Sequence, residues 1–138
     1  MTRYCILLLL PVFFANANAQ EGWINYYSSP DLQIDYKRVE CHDQANDIHK
    51  ALVVFRYINL NATPVVVSFN RALWYDGICI SCENTAESRF SVDLPAKGIK
   101  EGECGLRDKA FFVLERLLNV KSKALTKFEL NDIQIKNK

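Results

Sequence analysis

Residues 65–82 constrain this chain most. Val65, Val67 and Phe69 alternate with Val66, Ser68 and Asn70, the two-residue period of a strand with one face on a core. Leu73 and Tyr75 carry the apolar parity past Arg71, so the pattern predicts either a sheet edge or a bulge near that arginine. Asp76-Gly77 then suits a two-residue hairpin turn, which needs positive φ at both central positions, and glycine accepts this without steric cost. Chain reversal there puts Cys79-Ile80-Ser81-Cys82 on or just after a returning strand.

The same alternation recurs along the chain. Leu32, Ile34 and Tyr36 alternate with Gln33, Asp35 and Lys37 in a strand that runs towards Cys41. Residues 42–50 are polar and turn-like. Residues 51–58 are almost continuously apolar, as expected of a strand covered on both faces, and a loop over 59–64 follows. Residues 83–87 read as polar loop. Phe90, Val92 and Leu94 form another strand, which Pro95-Ala96-Lys97-Gly98 turns back. Residues 99–104 have the low hydrophobicity of an edge strand. Residues 109–120 fit two patterns. Phe111, Leu114 and Leu118 would share a helical face behind Asp108, but the Phe111-Phe112-Val113 run among strand neighbours favours a strand. Residues 125–135 close the chain, with a change of parity that predicts a bulge at Asn131-Asp132. Short strands with turn signals at intervals of about 8 to 12 residues predict an all-β antiparallel sandwich of about seven to eight strands.

Residues 1–19 stand apart. Arg3, an apolar run over 6–15 and then Ala17-Asn18-Ala19 have the order of a cleaved secretory signal peptide. The run is about half the length of a membrane span, which needs roughly 20 residues, and no later segment qualifies. Residues 20–138 are then one domain, secreted or periplasmic. The chain carries 17 Lys plus Arg against 16 Asp plus Glu, and Arg3 leaves with the leader, so the remainder is formally neutral. That argues against a nucleic-acid or anionic-membrane partner.

Of five cysteines, Cys5 lies in the leader, which leaves Cys41, Cys79, Cys82 and Cys104. An even number in an exported chain points to two disulfides. Three pairings are possible; a bridge from Cys79 or Cys82 to Cys104 would close a loop worth about 3 kcal/mol.

The succession Val53-Val54-Phe55, Leu73-Trp74-Tyr75-Asp76-Gly77, Cys79-Ile80-Ser81-Cys82, Leu94-Pro95-Ala96-Lys97-Gly98, Glu101-Gly102-Glu103-Cys104 and Leu125-Thr126-Lys127-Phe128-Glu129-Leu130 resembles small exported bacterial immunoglobulin-like β-sandwich proteins of uncharacterised function. The resemblance implies a fold and an export route, and it transfers no catalytic or binding residue.

Chemistry has few footholds. Cys79 and Cys82 are spaced to cycle between dithiol and disulfide, but the helix N-terminus that usually lowers the thiol pKa is not suggested by the surrounding pattern. Zinc held by the four cysteines, with His42 or His49, would need a second two-cysteine knuckle, and Cys41 and Cys104 are isolated. No nucleophile elbow, His-Glu-x-x-His or phosphate-cradling glycine loop occurs, so no cofactor is implied. Trp23, Tyr26 and Tyr27, in a lead-in over 20–30 that reads as irregular, either pack over an open end of the core or face a ligand. The expectation is a non-enzymatic binding module for a protein or glycan, using loops 59–63 and 83–87 and the 23–27 segment. The alternatives are a thiol–disulfide protein or a structural envelope component.

Overall fold

A computed structural model describes residues 22–138; the expected leader lies outside them. Among the described residues nine strands form two antiparallel sheets: β1 (Ile24–Ser28), β2 (Leu32–Asp43), β3 (Ile48–Asn59), β4 (Val65–Tyr75), β5 (Ile78–Cys79), β6 (Arg89–Leu94), β7 (Ile99–Glu101), β8 (Phe112–Leu117) and β9 (Leu125–Asn137). In the first sheet β1, β2 and β3 lie side by side. The far edge of β3 is shared by β8, along Lys50 to Val54, and β7, along Arg56 to Ile58. In the second, β4 is central, with β9 on one side and β6 and β5 on the other. Among the described residues there is no α-helix; two 3₁₀ turns, Ala86–Ser88 and Lys109–Phe111, precede β6 and β8.

The two sheets share one core. Leu32, Ile34, Val53, Phe55 and Tyr57 meet Val65, Val67, Phe69, Val92 and Leu94 from the opposite layer. Tyr57 stacks on Phe69 at 5.9 Å between centroids and meets Phe111 edge-on at 5.5 Å. Its hydroxyl donates to the Ala110 carbonyl at 2.6 Å, so the polar end of a buried ring is satisfied. Ala51 to Tyr57 are all buried, as the continuous apolar run requires.

Local chemistry explains the turns. Asp76 and Gly77 have φ of 49° and 80°, and Tyr75 pairs with Ile78 across them. The expected bulge lies in β9: Ser68 and Asn70 are two apart on β4, but their partners are Gln134 and Asn131, and Asp132 takes φ 51°. Asp108 caps the second 3₁₀ turn by accepting from the Ala110 amide at 3.0 Å, and the chain then enters β8, in agreement with the strand reading of that segment.

Two expectations are corrected and one alternative is decided. The lead-in is not irregular, because Ile24–Ser28 pair with β2 as an edge strand. The polar turn at 42–50 shrinks to residues 44–47, since β2 and β3 continue to pair as far as Asp43 and Ile48. Of the two alternatives at Arg71, the nearby bulge holds, because the β4–β9 register shifts between Ser68 and Asn70, and the sheet edge does not. The arginine lies on the central strand, pairs with Leu130, and is 8% exposed. Its Nη1 donates to the carbonyls of Lys109 at 2.6 Å and Phe112 at 3.2 Å, and the guanidinium lies 4.1 Å from the centre of the Phe90 ring. Burial pulls its pKa below the ordinary arginine value, opposed by Tyr57 and Tyr75. An arginine can sit at an apolar parity because carbonyls left free by the irregular entry to β8 supply acceptors.

The described residues hold one long-range and one local disulfide. Cys41 joins Cys104, with Cα atoms 5.7 Å apart and a sequence separation of 63; Cys79 joins Cys82. Loop-closure entropy then separates the two bridges by size. Replacing Cys41 and Cys104 together by serine is expected to cost about 4 kcal/mol in urea unfolding, and replacing Cys79 and Cys82 less than about 2 kcal/mol.

Candidate functional site

The sequence-selected aromatics do not share a face. A register shift in the β1–β2 pairing between Asn25 and Tyr27 turns both Tyr26 and Tyr27 towards the core, while Trp23 packs against the smaller cluster of Cys41, Leu52 and Val54 on the other side of the first sheet. Tyr26 also closes the seam between sheets. Its hydroxyl accepts from the Leu130 amide at 2.8 Å and lies 3.4 Å from the Leu130 carbonyl, so one tyrosine satisfies an outward-facing backbone unit on β9.

Around Tyr26 the two sheets open into a cleft of about 370 Å³ lined by Tyr36, Val53, Glu115, Leu125 and Phe128 among others. Phe128 lies 5.5 Å from Tyr26, 5.1 Å from Tyr36 and 5.3 Å from Phe55. Charge sits at the rim. Arg38 Nε donates to Glu115 at 2.6 Å and its Nη1 to Glu40 at 3.0 Å, while Lys127 stands 4.5 Å over the Trp74 ring. Tyr36 and Phe128 were legible as inward strand positions, but their meeting across the seam depends on which edges of the two sheets face each other.

On the outer face of the first sheet, Asp35 and Arg56 are register partners and are 2% and 6% exposed. Arg56 donates from Nε to Asp35 at 3.1 Å and again from Nη2. Gln33 and Asn25 donate to the same carboxylate at 3.0 and 3.1 Å. Trp23 lies with its centroid 4.5 Å from both Arg56 and Lys37. Burial raises the Asp35 pKa, but the hydrogen bonds from Arg56, Gln33 and Asn25 and the charge on Arg56 outweigh it, so the carboxyl titrates below the ordinary aspartate value. The pair is built as a structural clamp in which Arg56, Gln33 and Asn25 all donate to one carboxylate.

Cys79 and Cys82 border a cleft of about 540 Å³ with Ser81, Glu83, Thr85, Glu87 and Ser88. Cys82 is exposed and Cys79 half-buried. The Ser81 hydroxyl accepts from the Leu73 amide and donates to the Arg71 carbonyl, which pins the loop to β4. No helix begins at either sulfur; the following 3₁₀ turn starts at Ala86. All four sulfurs are bridged, which removes the cysteine-based zinc centre. Among the described residues no three His, Cys, Asp or Glu side chains converge as a metal cage.

Of the loops singled out in the sequence, 59–63 is braced. Asn59, 1% exposed, donates to the carbonyls of Thr63 and Pro95, each at 2.9 Å, and accepts from the Asn61 amide. In loop 83–87, Ser88 returns hydrogen bonds to Glu83 and Thr85. No described helix is long and apolar enough to cross a membrane. Comparison with family models, curated proteins and solved structures finds no match.

The clamp makes a pH-dependent prediction. Because the folded-state pKa of Asp35 is depressed, its stabilisation is complete above the unfolded aspartate value and is lost as pH falls through the folded one. Asp35→Asn is expected to flatten the acid limb of the stability–pH curve measured by denaturant unfolding. Asp35→Ala, which leaves Arg56 buried without a counter-charge, is expected to cost about 3–5 kcal/mol at neutral pH.

Proposed function

We propose that this chain is an exported, non-enzymatic immunoglobulin-like β-sandwich that binds a protein or glycan partner. The observation that carries the reading is the aromatic mouth between the sheets. Tyr26, Tyr36 and Phe128 line an open cleft with Glu115 and Lys127 beside them, the mixture of rigid rings and peripheral charge that recognition surfaces use. Export rests on the leader pattern and on the disulfides, which belong to an oxidising compartment.

The strand neighbours support the immunoglobulin-like part. The groupings β2-β3-β8 and β9-β4-β6 correspond to the D-E-B and C-F-G groupings of that fold if the chain order is permuted to begin at D. The short β7, which occupies the remainder of the β3 edge, and the added β1 are departures from it.

A second reading, a thiol–disulfide protein, draws on the exposure of Cys82 and the cleft beside it. In that reading an external dithiol attacks one sulfur of the bridge, forms a mixed disulfide, and leaves oxidised as Cys79 and Cys82 take up two electrons and two protons. Resistance of the bridge to a mild dithiol that opens catalytic disulfides would dispose of it.

The binding reading is tested with glycan and peptide arrays probed with the wild-type chain and with Tyr36→Ala and Lys127→Glu. A ligand retained by wild type and weakened roughly 30-fold by Tyr36→Ala, in the manner of a hot-spot loss, is the expected outcome, with a smaller loss for Lys127→Glu at the rim. Ligand binding indifferent to both substitutions, or no ligand at all, would contradict the proposal.

A further inference from the structure

The β2–β3 hairpin brings the chain's two histidines together. Its turn is held by Asp43, whose carboxylate accepts from the Asn46 amide at 3.3 Å and from the Asn46 side chain at 2.8 Å, and Asp47 takes φ 50°. This sets a register in which His42 lies directly opposite His49. Their ring centroids are 5.1 Å apart, and the two Nδ1 atoms face each other at 2.8 Å.

The other nitrogens decide what those Nδ1 atoms carry. His49 Nε2 lies 3.1 Å from the Asp47 carboxylate, and His42 Nε2 is 3.7 Å from Glu40. A carboxylate only accepts, so Asp47 draws the proton of a neutral His49 to Nε2 and leaves the lone pair on its Nδ1, whereas the 3.7 Å separation from Glu40 leaves His42 free to carry its proton on Nδ1. With both rings neutral, the His42 Nδ1–H donates to the His49 Nδ1 lone pair, so a single exchangeable proton lies between the two nitrogens. A metal ion that displaces this one proton finds both ring nitrogens beside it. Carboxylates surround the pair: Glu40 on β2, Asp43 at the turn and Asp47 beside His49. Arg38, the nearby cation on β2, is already paired with Glu40 and Glu115. The ring edges are reachable from solvent, with side-chain exposures of 48% for His42 and 24% for His49.

We propose that His42 and His49 form a two-histidine site for a divalent transition-metal ion, specifically copper(II). Imidazole nitrogen bound at roughly 2.0–2.1 Å, with its neighbour 2.8 Å away, subtends an angle near ~90° at the ion. Neighbouring ligands of a square-planar or tetragonal centre meet at that angle, which is the preference of copper(II). A tetrahedral ion such as zinc prefers nitrogens spread wider, at roughly 3.3 Å for the same bond lengths. Water completes the coordination, since no third protein ligand converges there. Asp47 acts from behind His49, fixing its tautomer and orientation, and Glu40 adds negative charge beside His42.

Copper(II) titrated into the purified chain at mildly alkaline pH, followed by calorimetry and electron paramagnetic resonance, tests the assignment. One ion per chain is expected, with an axial spectrum and two equatorial ring nitrogens. His42→Asn and His49→Asn should each weaken binding roughly tenfold or more and remove one nitrogen from the spectrum, and Asp47→Asn should weaken it by about tenfold. In the wild-type protein, paramagnetic broadening should fall first on the His42 and His49 ring protons, a readout that does not depend on any variant folding. Absence of a saturable site, or nitrogen coupling and affinity unchanged in the histidine variants, would overturn the proposal.

Discussion

The two-sided burial of β3 is the constraint on which the rest of the molecule depends. Phe55 and Tyr57 project towards the second sheet, whereas Leu52 and Val54 project away from it, and all four are buried. Each such side chain gains roughly 1.5–3 kcal/mol from leaving water, so both faces of the strand have to be covered. The inner cover is the second sheet, through Val65, Val67 and Phe69. The outer cover is assembled from pieces distant in sequence: Trp23, Phe112 and the Cys41–Cys104 bridge. Gly102 lies close over Val54, its amide donates to the Phe55 carbonyl at 2.8 Å, and a Cβ at that position would collide with the Phe111 carbonyl. The long-range disulfide therefore ties down the outer cover at the end of β2.

Polar groups enter the interior only where a partner is already fixed. Arg71 uses carbonyls at the entry to β8, Asn59 uses carbonyls of two loops, and Asp35 and Arg56 use each other. No buried side-chain nitrogen or oxygen among the described residues lacks a hydrogen bond. These satisfied groups carry specificity more than net stability, because a slip of one residue in β2 against β3 would separate Asp35 from Arg56 and leave both charges buried. The same register that pairs this clamp also sets His42 against His49 seven residues further along β2.

Most of the strand plan was legible because it rests on short-range rules. Alternation placed β2, β4, β6 and β9, Asp76-Gly77 announced its hairpin, and the parity change at Asn131-Asp132 announced the bulge. What escaped depended on contacts between residues far apart. Arg71 looked like an interruption because its acceptors, at Lys109 and Phe112, are invisible to a local pattern. β1 looked irregular because its register shift places Tyr26 and Tyr27 on the same side, which breaks the period of two. The disulfide partner of Cys41 and the aromatic mouth around Phe128 follow from how the sheet edges meet, and alternation holds no record of that. The histidine pair was half legible: both residues were visible, but their opposition required the true ends of β2 and β3.

The proposed binding mouth and the proposed metal site lie along the inner surface of the first sheet, where it reaches past the core. Both depend on β3 being the rigid, doubly covered centre from which the neighbouring strands extend. Residue-resolved hydrogen exchange of the native chain measures this most directly. The slowest amides are expected at 52–57 of β3 and 65–69 of β4, with β5 and β7 exchanging orders of magnitude sooner. Amides at 52–57 exchanging as fast as those of β7 would contradict the account.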